Sequence, residues 1–154
     1  MKKIPADLLC QLNSLLQKAI DADQADMGNI QFLDSHTHTL QIVAQQGFRE
    51  DFLEHFRSVK AFDSSACGRA MGTGNAVIIG DVQYDAAFEP NRGIAASAGF
   101  RAVKSIPIIF DEQLLGIIST HFREPKWNWD IKTLNFPPIG LGELIHSHGQ
   151  YITS

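Results

Sequence analysis

Cysteine is scarce in this chain of 154 residues: Cys10 and Cys67 are the only two, and they do not form a CxxC pair. That excludes a disulfide scaffold and points to a reduced, cytoplasmic setting. Basic clusters are missing too. The net charge is −4, and Lys and Arg are dispersed, so no nucleic-acid surface is indicated. No apolar run approaches the ~20 residues of a membrane span, so no membrane insertion is expected. The N-terminal Met1-Lys2-Lys3-Ile4-Pro5 is basic, but the amphipathic stretch after it argues against a signal peptide. Gly72-Thr73-Gly74 lacks the Lys-Ser/Thr of a phosphate loop and reads as a turn. His36 and His38 resemble a ligand pair, but no carboxylate or Cys is spaced to complete a metal shell.

What is present is an ordinary apolar fraction, 44%, in a chain long enough for one core. The most apolar stretch runs from Ala102 to Phe122. Ala102–Phe110 and Leu114–Phe122 are rich in Ile and Phe and flank Asp111-Glu112-Gln113, which predicts an antiparallel hairpin covered on both faces. Reflection about residue 112 sets Ser105 opposite Ser119, with His121 one diagonal step further on the same face. Polar groups on a covered face need partners, and a ligand is one candidate.

The remaining elements follow in order. Residues 5–23 read as a helix whose stripe of Leu8, Leu12, Leu15 and Ala19 is widened by Leu9, Leu16 and Ile20. So wide a band predicts a partner helix as well as a core, and hence a homodimer. Ala25–Leu33 and Leu40–Gln45 form a second hairpin. Phe48, Phe52, Phe56 and Val59 recur at helical spacing. Asp63-Ser64-Ser65 offers caps for a short helix, Ala66–Met71, that Gly72 or Gly74 ends. Ala76–Ile79 is a short strand, residues 81–92 are irregular, and Gly93–Ala98 is a short helix closed by Gly99. Pro137-Pro138 breaks the C-terminal helical segment of residues 130–148, so a second helix starts near Pro138.

Three stretches carry a family resemblance. They are Ser65–Ala70 with Val77–Val82, Gly99–Ser105 leading to Pro107-Ile108, and Leu114–Phe122. In this order the chain resembles a GAF domain of the type found in bacterial sensor histidine kinases, and more distantly in phytochromes. The resemblance implies an α+β fold over residues 1–154: a GAF/PAS-like twisted antiparallel sheet of five to six strands. Terminal helices would cover one face, and short helices and loops would enclose a pocket on the other.

The implied function is a sensory module that binds an unidentified small molecule, dimerises through its terminal helices and acts on a histidine kinase effector. Ser105, Ser119 and His121 would face the pocket beside Arg101, with Tyr84 and Phe88 in the lid. With Arg101 at the strand entrance, an acidic or carbonyl-bearing metabolite is expected. The cofactor stays unassigned. A covalent bilin needs a Cys beside the pocket, which 81–100 and the hairpin lack, Cys67 reads as structural, and haem on His121 has no further support. An enzyme of the free methionine sulfoxide reductase type is the alternative, since Cys67-Gly68 matches one of its Cys positions. Its catalytic Cys would fall near Ile94-Ala95-Ala96, where there is none, so no catalytic residue is assigned. A dimerisation module with a filled pocket is the third reading.

Overall fold

In the computed structural model, residues 4–130, 137–138 and 140–148 are described. A six-stranded antiparallel sheet runs through the centre, in the order β3-β2-β1-β6-β5-β4. Its strands are β1 (Met27–Asp34), β2 (Thr39–Gln46), β3 (Val59–Lys60), β4 (Val77–Ile79), β5 (Ala102–Phe110) and β6 (Gln113–Phe122). Among the described residues five α-helices accompany it: α1 (Ala6–Asp23), α2 (Glu50–His55), α3 (Ala66–Thr73), α4 (Arg92–Ala98) and α5 (Leu141–Ser147). A 3-10 turn, Ala86–Asn91, precedes α4.

The sheet separates two cores, and the alternation of side chains along the strands assigns residues to each. On one face Leu8, Leu12, Leu16 and Ile20 of α1 pack with Ile30 and Phe32 of β1, Ile106 and Ile108 of β5, and Leu141 and Ile145 of α5. Leu9, Leu15 and Ala19 flank this stripe half-buried. Leu16 is therefore a core residue rather than a candidate contact with a partner helix. On the other face Met27, Phe52, Cys67, Phe88, Phe100 and Val103 belong to the second core. The first half of the C-terminal segment, including Ile131 and Leu134, lies outside the described residues.

Two local expectations change. The Phe stripe of α2 ends at Phe56, and Val59 instead opens β3 by pairing with Leu40. The turn of the central hairpin has two residues rather than three. Asp111 and Glu112 both have positive φ, 52° and 64°, and Phe110 pairs with Gln113. Positive φ at both central positions is the type I′ pattern, which matches strand twist but suits Asn-Gly far better than Asp-Glu. Replacing Asp111-Glu112 by Asn-Gly should raise stability by about 1 kcal/mol, read as a higher urea midpoint at unchanged slope. An unchanged or lower midpoint would contradict this turn.

A register shift between Ile108 and Ile109 compensates for the shorter turn. Beyond it Ser105 pairs with Ser119 and Val103 with His121. The bulge thus restores the facing that reflection about residue 112 predicts.

Candidate functional site

β1 lies between β2 and β6, and its polar residues alternate with apolar ones. Gly28, Ile30 and Phe32 turn to α1; Met27, Asn29 and Gln31 turn to the opposite face. In register across the sheet, Asn29 pairs with Ser119, Ser119 with Ser105, and Ser105 with Val77. One row over, Met27 pairs with His121 and His121 with Val103. A strip of polar side chains therefore crosses the middle of a covered sheet face.

Above this strip sit α3, the segment 81–92 and the Phe residues of α2. Together they close a cavity lined by Asn29, Gln31, Ser105, Ser119 and His121 on the sheet side. Ser65, Cys67, Phe52, Phe56, Phe88 and Phe100 form its roof and walls. The space open to water centres is about 20 Å³, enough for one or two waters.

Local chemistry explains the positions. Ser65 is the N-cap of α3, its Oγ accepting from the Gly68 amide at 3.2 Å. The same hydroxyl lies 3.3 Å from the Cys67 thiol. Burial pushes the Cys67 thiol up, so it stays protonated and is a poor nucleophile. Asp85 caps the 3-10 turn by accepting from the Phe88 amide at 3.1 Å, which aims Phe88 inward.

The polar inventory of the sheet side is incompletely paired. Ser105 and Ser119 share a hydrogen bond of 2.7 Å. Asn29 Oδ1, Gln31 Oε1 and His121 Nδ1 are buried with no protein partner. Buried polar atoms are normally satisfied, and three orphans at one cavity are unusual. The His121 ring is held edge-on by Phe48, Phe52 and Phe100, at centroid distances of 4.9, 5.8 and 4.6 Å. Desolvation among them pushes His121 down to about 3, so the imidazole is neutral.

The residues expected from the sequence divide. Ser105, Ser119, His121 and Phe88 all line the cavity. Arg101 and Tyr84 do not, and both assignments are corrected. Arg101 donates from Nε to Asp81 Oδ1 at 2.9 Å, and its NH2 group pairs with the other carboxylate oxygen. Asp81 is almost fully buried, so this bidentate pair commits the guanidinium. The Arg101 pair holds the Asp81 carboxyl below its ordinary value. Tyr84 is 80% exposed, because the Asp81 turn (Gln83 amide to Asp81 Oδ1, 3.0 Å) points it outward.

Cys67, which reads as structural in the sequence, lies on the cavity wall. Asn29, Gln31 and Ser65 were missed. The signal for the first two was the alternation Asn29-Ile30-Gln31-Phe32 in what proves to be a central strand, where a polar face has no water to meet. Among the described residues, no group of three or more His, Cys, Asp or Glu could hold a metal ion. No described helix is long and apolar enough to cross a membrane.

The family model for the GAF domain matches residues 12–134. None of the curated proteins compared matches by sequence. Among solved structures, the GAF domain region of a Geobacter sulfurreducens PCA protein, described as a membrane protein, aligns with TM-score 0.74. It shares 19% identity and covers 94% of each chain. The type II free methionine-R-sulfoxide reductase of Thermoplasma acidophilum aligns with TM-score 0.73 and 15% identity, over 92% of this chain and 94% of that one. A domain of a Sinorhizobium meliloti 1021 protein, described as a two-component sensor histidine kinase, aligns with TM-score 0.63 and 15% identity. That match covers 97% of this chain and 92% of the other. At such identities these likenesses establish the fold alone, but the family match spans most of the sequence: the chain belongs to the GAF domain family.

Proposed function

We propose that this member of the GAF domain family is a sensory module that binds a small molecule in the cavity between β1, β6, β5, α3 and the 81–92 segment. The observation that carries this reading is the set of three buried, unpartnered polar atoms, on Asn29, Gln31 and His121, at one pocket. A filled core would not retain them, because each costs about 1–3 kcal/mol unsatisfied. Ser105, Ser119 and Phe88 complete the site.

The 81–92 segment acts as the lid. It is fastened by Arg69–Asp85 at 3.2 Å, by Arg92 Nε donating to the Val82 carbonyl at 3.1 Å, and by the Asp81–Arg101 pair. Admission of anything larger than water displaces Phe88 and loosens these fastenings.

Transmission runs through the sheet. Ser105 and Ser119 face the cavity, while their neighbours Lys104 and Thr120 face α1. Lys104 Nζ lies 2.8 Å from Asp23 Oδ2, and the Thr120 hydroxyl donates to the same carboxylate at 2.8 Å. A ligand that re-spaces the Ser105–Ser119 pair therefore acts, one peptide away on each strand, on the anchor of the α1 C-terminus. The helical layer of α1 and α5, with Leu9, Leu15 and Leu144 half-buried at its surface, is then the output face. Dimerisation through it and a histidine kinase effector belong to the same proposal.

Protein produced in its native host should carry a small molecule that native mass spectrometry detects as added mass and that heat releases. Gln31→Leu should lose it while remaining folded. Host-derived protein that is consistently empty, together with a Gln31→Leu variant more stable than the parent, would identify the cavity as plain core instead.

A further inference from the structure

The chemistry of the cavity restricts what can enter it, given the ligand-binding reading above. Among the described residues lining it there is no Asp, Glu, Lys or Arg. Arg101 is bound to Asp81 and Arg69 to Asp85, while Arg92 of the lid donates to the Val82 and Asp85 carbonyls, so each of these cations is already engaged. His121 is neutral. An anion in this space would shed its hydration and meet no opposite charge, and a cation would fare no better.

What the walls do offer is amide chemistry. Asn29 is 4% and Gln31 1% exposed, and each has an unpartnered carbonyl oxygen. A carboxamide side chain presents C=O and N–H side by side, a match for the same pair of groups on a ligand. The Ser105–Ser119 pair uses one hydroxyl hydrogen internally and leaves the other to donate. Phe52 and Phe88 supply flat apolar walls.

We propose that the cavity selects a small, uncharged, planar molecule with an N–H beside a carbonyl, such as a carboxamide, lactam or urea, over any carboxylate or inorganic anion. Asn29 and Gln31 accept its N–H groups and the Ser105–Ser119 pair donates to its carbonyl. Of the acidic or carbonyl-bearing metabolite that Arg101 suggested in the sequence, this keeps the carbonyl and drops the acid, because Asp81 holds that guanidinium elsewhere.

The test uses matched pairs that differ in little but charge: acetamide against acetate, and nicotinamide against nicotinate. Each is titrated into the full chain and followed by 1H–15N NMR at the backbone and side-chain amides of Asn29 and Gln31. The amide of at least one pair should move these signals at about tenfold lower concentration, or less, than its carboxylate. Gln31→Leu should abolish the response, and Ser105→Ala, the milder variant, should weaken it. A carboxylate that binds as well as or better than its amide overturns the proposed class while leaving a ligand site in place. Shifts confined to other residues, or no response to either member of either pair, overturn it as well. The sensory reading itself falls only if host-derived protein is also empty.

Discussion

Gly116→Ala should cost about 3–4 kcal/mol and lower Tm by roughly 10 °C. Gly116 sits inside β6, pairs with Ile108 on β5 and Phe32 on β1, and is buried. A Cβ built on it would lie 2.1 Å from the backbone oxygen of Gln31 and 3.3 Å from Cα of Phe32. The obstacle is backbone, not the end of a flexible side chain, so the β1–β6 ladder itself must part. That separation starts at Gln31, whose Oε1 is one of the cavity's unpartnered atoms, so ligand response should fall along with stability. Gly74→Ala is the contrast. A Cβ there meets nothing within 4 Å, and the cost is limited to the positive φ of 70°, about 1 kcal/mol. Thermal unfolding of both variants checks the difference. A Gly116→Ala protein that melts within a few degrees of the parent would show that the strands are not so closely apposed.

Much of this molecule was legible because strand periodicity and turn chemistry are local. Ser105 facing Ser119 followed from counting outward from the turn, although the count was right through two offsetting features. The turn has one residue fewer than expected, and a bulge beyond Ile108 restores the phase. Helix ends at Gly74 and Gly99 were readable because a left-handed residue closes each, φ 70° and 85°.

Non-local facts were not legible. Asn29 and Gln31 look like an ordinary wet face until β1 is known to lie between two other strands with helices above it. Arg101 looked free because its partner, Asp81, is twenty residues away and meets it only when the lid folds back. Leu16 looked available for a partner because the width of a helical band does not reveal which of its residues the sheet will cover, and Leu16 lies over β1 at Gly28. In each case the missing information was which element lies opposite, and pairing between distant segments leaves no periodic trace in either one.

Acidification should weaken the parent protein well before its carboxylates titrate, and His121 is the reason. Its folded-state pKa is pushed from 6.5 to about 3 by burial. Unfolded chains therefore take up a proton that the native state refuses, throughout the interval between those values. Above pH 6.5 the imidazole is neutral in both states and adds no pH-dependent cost; stability is lost as pH falls from 6.5 towards 3, with a slope approaching about 1.4 kcal/mol per pH unit. Asp81, lowered from 3.8 by Arg101, behaves in a different window. Its contribution is complete above 3.8 and disappears only below it. The range from pH 6.5 to 4.5 thus isolates the histidine.

His121→Leu keeps an apolar group of similar size among Phe48, Phe52 and Phe100 and removes the orphaned Nδ1. Near pH 7 its stability should stay within about 1 kcal/mol of the parent. By pH 4.5 the variant should be the more stable of the two by a further 2–3 kcal/mol or so. Urea unfolding at pH 7, 5.5 and 4.5 gives the comparison directly. Parallel pH profiles for the two proteins would mean that His121 is solvated or protonated in the native state. The neutral cavity on which the ligand selectivity rests would then be wrong.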